Sequence, residues 1–393
     1  MKAFIIAACR TPIGTFLGDL SPLTSPQLGA AVIRESLKRA KIEPAGIDEV
    51  IMGNVLSAGL GQAPARQAAL QAGLPPTVAA LTINKMCGSG LKAVVLAAQA
   101  IRLGDAQAVV AGGMESMSRA PHLLNGGRSG WKLGHQQIID SMLHDGLTCP
   151  FDGCHMGSLA DYIARESDIS REDQDSYAIE SHKRALEAIR SGCFDDEIVL
   201  LEISDRKGTK HITKDQGPRQ DTTAAKLTAL KPAFDPAGTV TAGNASQISD
   251  GAAAVVVVSD VFIAEHGHQP LAHIVGYATA GVEPRNVFIA PVPAIKAVLA
   301  KTGMCIEDID LFEINEAFAA QTLACARQLK IPMDQLNVHG GAIAMGHPLG
   351  ASGARVLVTL LHAMQRLDRK RGLAALCLGG GNAIAMIIER TSP

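Results

Sequence analysis

At 393 residues, with 47% apolar and 19% charged residues, the chain exceeds one typical domain and holds enough apolar mass for more than one core. Charge is nearly balanced, 36 Lys and Arg against 38 Asp and Glu, and aromatics make up only 3%, so neither a nucleic-acid footprint nor a base-stacking surface is indicated. The longest unbroken apolar runs, such as Ala252–Val258, are too short to span a bilayer, and eight cysteines without paired CxxC spacing in a chain this large read as reduced thiols.

The chain opens with a strand over Met1–Cys9. Phe4–Cys9 after Lys2 imitates a signal core, but Arg10 interrupts it and no small-residue cleavage site follows, so a cytoplasmic protein is expected. A turn at Arg10-Thr11-Pro12-Ile13-Gly14 leads to an amphipathic helix over Pro26–Ala40, striped by Leu28, Ala31, Val32, Ile33 and Leu37. Ile47–Asn54 is a buried strand ending in Asn. Lys85-Met86-Cys87-Gly88-Ser89-Gly90-Leu91-Lys92 then closes a run of turn residues and opens a long apolar helical pattern, Leu91–Leu103. Cys87 thus stands at a helix start, where free amide N–H groups and the helix dipole favour an anion, which leans its thiol towards the thiolate.

A strand ending in Gly112-Gly113 follows. From about Ser118 to Ser249 the alternation breaks, through Gly126-Gly127, Trp131, Pro150 and Gly153, a charged helix near Arg171–Ser191, and a polar tract to Pro218. This reads as an insertion, and insertions of such length usually serve function. Cys149, Cys154 and His155 lie close together, but no second ligand pair and no HExxH accompany them, so no metal site is expected. Asp250–Ser259 returns to a buried strand.

The second half repeats the order of the first. Ile309–Asn315 answers Ile47–Asn54, a helix opening at Ser352-Gly353 answers the one at Ser89-Gly90, and a strand ending in Gly379-Gly380-Gly381 answers Gly112-Gly113, all at an offset of about 260 residues. Two such βα units pack most simply as a pseudo-twofold pair of sheets with helices between and outside them, the starts of corresponding helices facing each other. The division expected is an N-terminal half over 1–118 plus 249–269, an inserted loop domain over 119–248, and a C-terminal half over 270–393. That arrangement brings Cys87 to Gly346-His347-Pro348 and to Cys377, although they are far apart in sequence.

Alone, each residue has a plainer reading: a packed core cysteine, a turn histidine, glycines for tight strand–helix packing, and Asn315-Glu316-Ala317-Phe318 as a helix cap. Together, one nucleophilic thiol, a histidine to move its proton, a second thiol and glycine-exposed backbone donors suit acyl transfer through a thioester. A hydrolase needs one nucleophile and one base. Making or breaking a carbon–carbon bond beside a thioester also requires a proton to move at the α-carbon, which Cys377 can do. The N–H groups of Cys87 and Gly379 can stabilise the oxyanions. No GxxxxGK[ST], no GxSxG and no complete dinucleotide fingerprint is present.

From end to end the chain resembles the thiolase family, in its biosynthetic acetyltransferase branch. The likeness rests on Arg10-Thr11-Pro12-Ile13-Gly14, Gly61-Gln62-Ala63-Pro64-Ala65-Arg66-Gln67, Asn84-Lys85-Met86-Cys87-Gly88-Ser89-Gly90, Gly112-Gly113-Met114-Glu115-Ser116-Met117-Ser118, His155-Met156-Gly157, Thr241-Ala242-Gly243-Asn244-Ala245-Ser246, Asn315-Glu316-Ala317-Phe318, Gly346-His347-Pro348 and Cys377-Leu378-Gly379-Gly380-Gly381. It implies a layered αβαβα fold of two duplicated halves and a reversible condensation of two acetyl-CoA to acetoacetyl-CoA and CoA. Cys87 would carry the acyl group, His347 activate it, and Cys377 exchange the α-proton. One oxyanion site would come from His347 and a water held by Asn315, the other from the amides of Cys87 and Gly379. The insertion would bind coenzyme A through His155, Met156, Arg219, Phe234, Ala242 and Ser246, with Phe318 near the acyl end. CoA thioesters would be substrates, with no cofactor and no metal, and the assembly a homotetramer, a dimer of dimers, with no nucleic-acid or membrane partner.

Alternatives are a thiolase of broader chain length in β-oxidation and an inactive CoA-binding homologue; a ketoacyl synthase has no need of Cys377 as an α-carbon base. Three places depart from the family pattern. Gln247 stands where Gly is usual, Val287-Phe288 where Met-Gly is common, and Asn382-Ala383 after the glycines. None is expected to touch a catalytic side chain, so they bear on acyl specificity and CoA contacts.

Overall fold

The computed structural model describes residues 1–205 and 208–391. Along the chain, β1 (Ala3–Arg10) leads to α1 (Ser25–Ala40), then β2 (Glu49–Gly53), α2 (Pro64–Gln71), β3 (Ala79–Ile83), α3 (Ser89–Leu103) and β4 (Ala108–Ser116). The excursion beyond β4 carries α4 (Met156–Glu166), α5 (Arg171–Arg190) and three small hairpins before β5 (Ser249–Ser259). The second half runs β6 (Ala272–Gly281), α6 (Pro291–Thr302), β7 (Leu311–Ile314), α7 (Ala319–Leu329), the four-residue α8 (Ala342–Met345), α9 (Leu349–Arg366), β8 (Arg371–Leu378) and β9 (Asn382–Arg390).

Local chemistry sets the ends of these elements. Thr24 caps α1 by accepting from Gln27 N, while Gln27 Oε1 accepts from Thr24 N at 2.8 Å, and Pro26 fits the first turn where no N–H is needed. Ser170 and Asp173 form the same reciprocal cap on α5. α3 ends at Gly104, whose φ of 87° is the left-handed stop that glycine supplies. α9 starts at Leu349, three residues before the Ser352-Gly353 expected from sequence, because Pro348, with its fixed φ, takes the N-cap position.

The principal strands form one sheet in the order β7-β8-β9-β6-β1-β5-β4-β2-β3. The sequence reads as a pseudo-twofold pair of sheets; the first strand of each half meets its counterpart and joins the two, β1 pairing with β6 at Phe4–His273 and Ile5–Ala272. The contact is short, and it removes two edges whose backbone groups would otherwise go unpaired. On either side of this seam the halves still fold into layers. α1 and α2 pack Leu28, Val32, Ile33, Ala65 and Ala69 on one outer face, and α6 and α7 pack Ile295, Val298 and Leu329 on the other. Between the half-sheets lie α3 and α9, with Leu91, Val94, Val95 and Ile101 against the sheet strands and Val356, Leu357, Leu360 and Leu361. Met86–Leu103, a stretch long and apolar enough by composition to cross a membrane, belongs to this buried inner layer. β5 has all eleven residues buried, as expected of a strand covered on both faces.

α3 and α9 cross at their first turns with backbone nearly on backbone. A Cβ at Gly90 would stand 2.6 Å from Ala354 N, and one at Gly353 would stand 2.4 Å from Leu91 N. Only glycine at both positions permits this approach. The Ser89-Gly90 and Ser352-Gly353 pairs that mark the duplication in sequence are therefore the contact that sets Cys87 beside His347.

Candidate active site

A cavity of about 520 Å³ opens where the two inner helices begin, and Cys87, His347, Cys377 and Gly379 all line it. Its outer walls come from the excursion, with His155, Met156, Arg219, Phe234, Ala242 and Ser246, and from Phe318 of the second half. Asn315 is the one candidate that does not reach the wall. It is fully buried behind His347, with Nδ2 3.4 Å from His347 Nε2 and Oδ1 without a protein partner among the described residues.

Cys87 sits in a tight turn. Asn84 Oδ1 accepts from Met86 N at 2.9 Å, and Ser89 Oγ accepts from Lys85 N at 2.8 Å while donating to Met86 O at 2.6 Å. Met86 takes a φ of 48°, a conformation that costs a side-chain-bearing residue about 1–2 kcal/mol. The helix proper starts at Ser89 with Gly88 as its cap, so Cys87 lies just outside the first turn. Here the sequence expectation is corrected. Burial pushes the thiol up to about 11, against the lowering pull of the N–H groups of Cys87 itself and Gly379, and nearby Glu115 adds to the rise. The resting group is a thiol: desolvation outweighs the helix-start field.

His347 is held neutral, since burial, with Arg355 adding to it, brings it down to about 3. Its Nδ1 lies 2.5 Å from Ser352 Oγ, and that hydroxyl donates to Pro348 O at 2.8 Å. With its only proton committed to Pro348, Ser352 accepts from Nδ1–H, which leaves the Nε2 lone pair as the acceptor. Cys377 lies one residue before the end of β8, and its thiol is raised well above the ordinary range by burial first and then by the neighbouring Cys87 and Cys325.

One wall of the cavity is aromatic. His155 stacks on Phe234 with centroids 4.6 Å apart, Phe234 meets Phe318 edge-on at 6.3 Å, and Phe318 meets Phe288 edge-on at 5.1 Å. Burial lowers the pKa of His155, whose Nδ1 accepts from Gly157 N at the start of α4. Arg219 is exposed, and its backbone N–H donates to His182 Nδ1. Two of the departures noted in sequence border the site: Val287 and Phe288 line the cavity and are buried, and the backbone carbonyl of Gln247 accepts from His347 N at 2.9 Å.

Sequence reasoning missed several supporting residues. Ser352 was read only as a helix opener. Glu115, buried in β4, accepts from Asn54 Nδ2, Val55 N, Leu56 N and Gly350 N, tying the walls beside Cys87 to the first turn of α9; burial still lifts it to about 7. Glu316 accepts from Tyr177 Oη, Ser181 Oγ, Asn337 Nδ2 and Ile343 N, joining α5 to the segment before His347. The available signal was an acid inside an otherwise apolar run, which seldom occurs unless the carboxylate has partners.

Fold and site define a class: a duplicated, layered α/β protein whose halves deliver a cysteine from one side and a histidine and second cysteine from the other into one apolar cavity. Residues 3–261 match the thiolase N-terminal domain and residues 268–390 the thiolase C-terminal domain, so the chain belongs to the thiolase family. It is 54% identical to an acetyl-CoA acetyltransferase of Escherichia coli (strain K12) over 387 residues, 98% of each chain. The crystal structure of the Bacillus anthracis acetyl-CoA acetyltransferase superposes with a TM-score of 0.98 at 45% identity, and that of human mitochondrial 3-ketoacyl-CoA thiolase with 0.97 at 41%, each covering 99% of both chains.

Proposed function

We propose that the protein is an acetyl-CoA C-acetyltransferase that reversibly joins two acetyl-CoA into acetoacetyl-CoA and CoA. The observation that carries this reading is the meeting of two thiols and a neutral imidazole in one apolar cavity. Cys87 Sγ attacks the thioester carbonyl as its proton passes to His347 Nε2, and the N–H groups of Cys87 and Gly379 stabilise the oxyanion. Collapse breaks the bond to the CoA sulfur, which takes the proton, and acetyl-Cys87 remains. Cys377, as thiolate, then removes the α-proton of a second acetyl-CoA. The high pKa that makes this thiolate scarce also makes it a strong base, suited to a weak carbon acid. The carbanion attacks the acetyl carbonyl and the bond to Cys87 breaks. The proton Cys377 releases in becoming the base rests on His347 Nε2, where it faces the enolate oxygen, until the departing Cys87 sulfur takes it up. Asn315, buried beside Nε2 with an unpartnered Oδ1, holds the water that joins His347 at the enolate oxygen.

Residues 119–248 serve as the CoA-binding loop domain, with the exposed Arg219 at the cavity mouth and His155, Met156, Phe234, Ala242 and Ser246 along the channel. The protein works in the cytoplasm, in acyl-CoA and fatty-acid metabolism, as a homotetramer. Exposed Leu124, Trp131, Leu133 and Ile138, on the hairpin beyond β4 and the loop that joins its strands, support assembly, since exposed apolar side chains in one segment can supply a contact site.

The test is thiolysis of acetoacetyl-CoA by CoA, followed by deuterium exchange into acetyl-CoA with Cys377→Ala. Acetyl-CoA should form with the parent, and exchange should fail in the variant while some acylation of Cys87 survives. Exchange at the parental rate would assign the base elsewhere.

A further inference from the structure

Gln247, one of the three departures singled out in sequence, turns its side chain into a knot of carbonyl oxygens. Nε2 lies 3.1 Å from Gly217 O, 3.0 Å from Ile343 O and 2.8 Å from Ala344 O. Two of these carbonyls belong to α8, the four-residue helix directly before His347. The last carbonyls of a helix have no partner within it, and so short a helix has no interior to hold it in shape. The same residue acts through its backbone, because Gln247 O accepts from His347 N at 2.9 Å and from Ser249 Oγ at 2.9 Å. The third carbonyl, of Gly217, belongs to the segment that leads to Arg219. Gly217 approaches so closely that a Cβ there would stand 2.4 Å from Ala344 O.

We infer that Gln247 is a positioning residue for His347: its side-chain amide caps α8 and binds it to the Gly217 segment, fixing the imidazole opposite Cys87. The amide has two protons for three acceptors, so one proton is shared and the knot holds only while all three segments stay in place. Val287, Phe288 and Asn382, the other departures from the family pattern, make no such bond to the histidine segment among the described residues. This inference rests on the thiolase reading, in which His347 activates Cys87.

The experiment compares the parent with Gln247→Met, which keeps length but donates nothing, and Gln247→Gly, which removes the side chain and keeps the backbone carbonyl that accepts from His347 N. Steady-state thiolysis of acetoacetyl-CoA gives kcat and KM. The rate of Cys87 alkylation by iodoacetamide, followed on its peptide by mass spectrometry, reads thiol activation without any substrate. Misplacing His347 should lower kcat about tenfold, leave KM within about twofold, and slow alkylation by a factor like that in kcat, while the thermal midpoint stays near the parent's. A folded Gln247→Gly enzyme with parental kcat and parental or faster alkylation would overturn the assignment, whatever Gln247→Met does. An inactive parent would count against the thiolase reading instead, and the alkylation comparison would still decide the role of Gln247.

Discussion

Ser352 Oγ lies 2.5 Å from His347 Nδ1, and the hydroxyl is already spent as a donor to Pro348 O. One hydrogen bond thereby sets both the tautomer and the ring orientation of His347. Ser352→Ala leaves Nδ1–H buried without an acceptor and frees the ring to rotate. We expect kcat for thiolysis to fall by about 10–100-fold with little change in KM, and stability to drop by about 1–2 kcal/mol in urea titration. Unchanged kcat would show that the ring is held by its other contacts.

The thiol of Cys87, raised to about 11 by burial, is protonated across the neutral range. Its alkylation by iodoacetamide should therefore climb steadily from pH 7 to 10, about tenfold per unit, with no plateau. A plateau by pH 8 would mean that Cys87 is stored as a thiolate. His347 has the opposite shift, held at about 3 against 6.5 by burial and Arg355. Between those values the unfolded chain binds a proton that the folded one does not, so stability falls as pH drops through this window. His347→Asn should lessen that fall in the urea midpoint.

Much of this site was legible in the residue order. Cys87, His347 and Cys377 stand in glycine-rich strings, and the duplicated offset places Cys87 and His347 at facing helix starts, which the Gly90–Gly353 crossing realises. The protonation state of Cys87 was not legible, because it depends on desolvation by residues far away in sequence, whereas the helix-start field is local. Nor was the β1–β6 seam, where the strand pairs Phe4–His273 and Ile5–Ala272 join the half-sheets. The bond network of Gln247 draws on residues 217, 343 and 344, a convergence that no linear pattern marks.

The α3–α9 crossing should be intolerant of one methyl group. A Cβ at Gly353 meets backbone, 2.4 Å from Leu91 N, so the helices must part. Gly353→Ala is expected to cost about 1–3 kcal/mol in the denaturation midpoint. Because the crossing also spaces Cys87 from His347, kcat should fall more than KM rises. A variant as stable and active as the parent would show that the layer yields easily.

Phe288 faces the cavity from the aromatic wall, its ring 5.1 Å from that of Phe318, and is almost fully buried. Its ring fills space at this wall of the cavity, so kcat/KM should fall steeply as the 3-ketoacyl chain lengthens beyond acetoacetyl-CoA. An extra methylene is worth about 1–3 kcal/mol where a pocket accommodates it, and Phe288→Gly should recover part of that on longer chains. Parental cleavage of long chains as fast as acetoacetyl-CoA, or no gain in the variant, would remove Phe288 as the determinant.

The most direct test of the account is to catch the acyl group on its carrier. The protein is mixed with acetoacetyl-CoA, quenched in acid within the first turnover and digested, and the cysteine peptides are weighed. An acetyl increment on the peptide containing Cys87, absent from that containing Cys377 and absent altogether in Cys87→Ser, is the predicted result. An acetyl group on Cys377 with Cys87 unmodified would reverse the roles of the two thiols and contradict the mechanism.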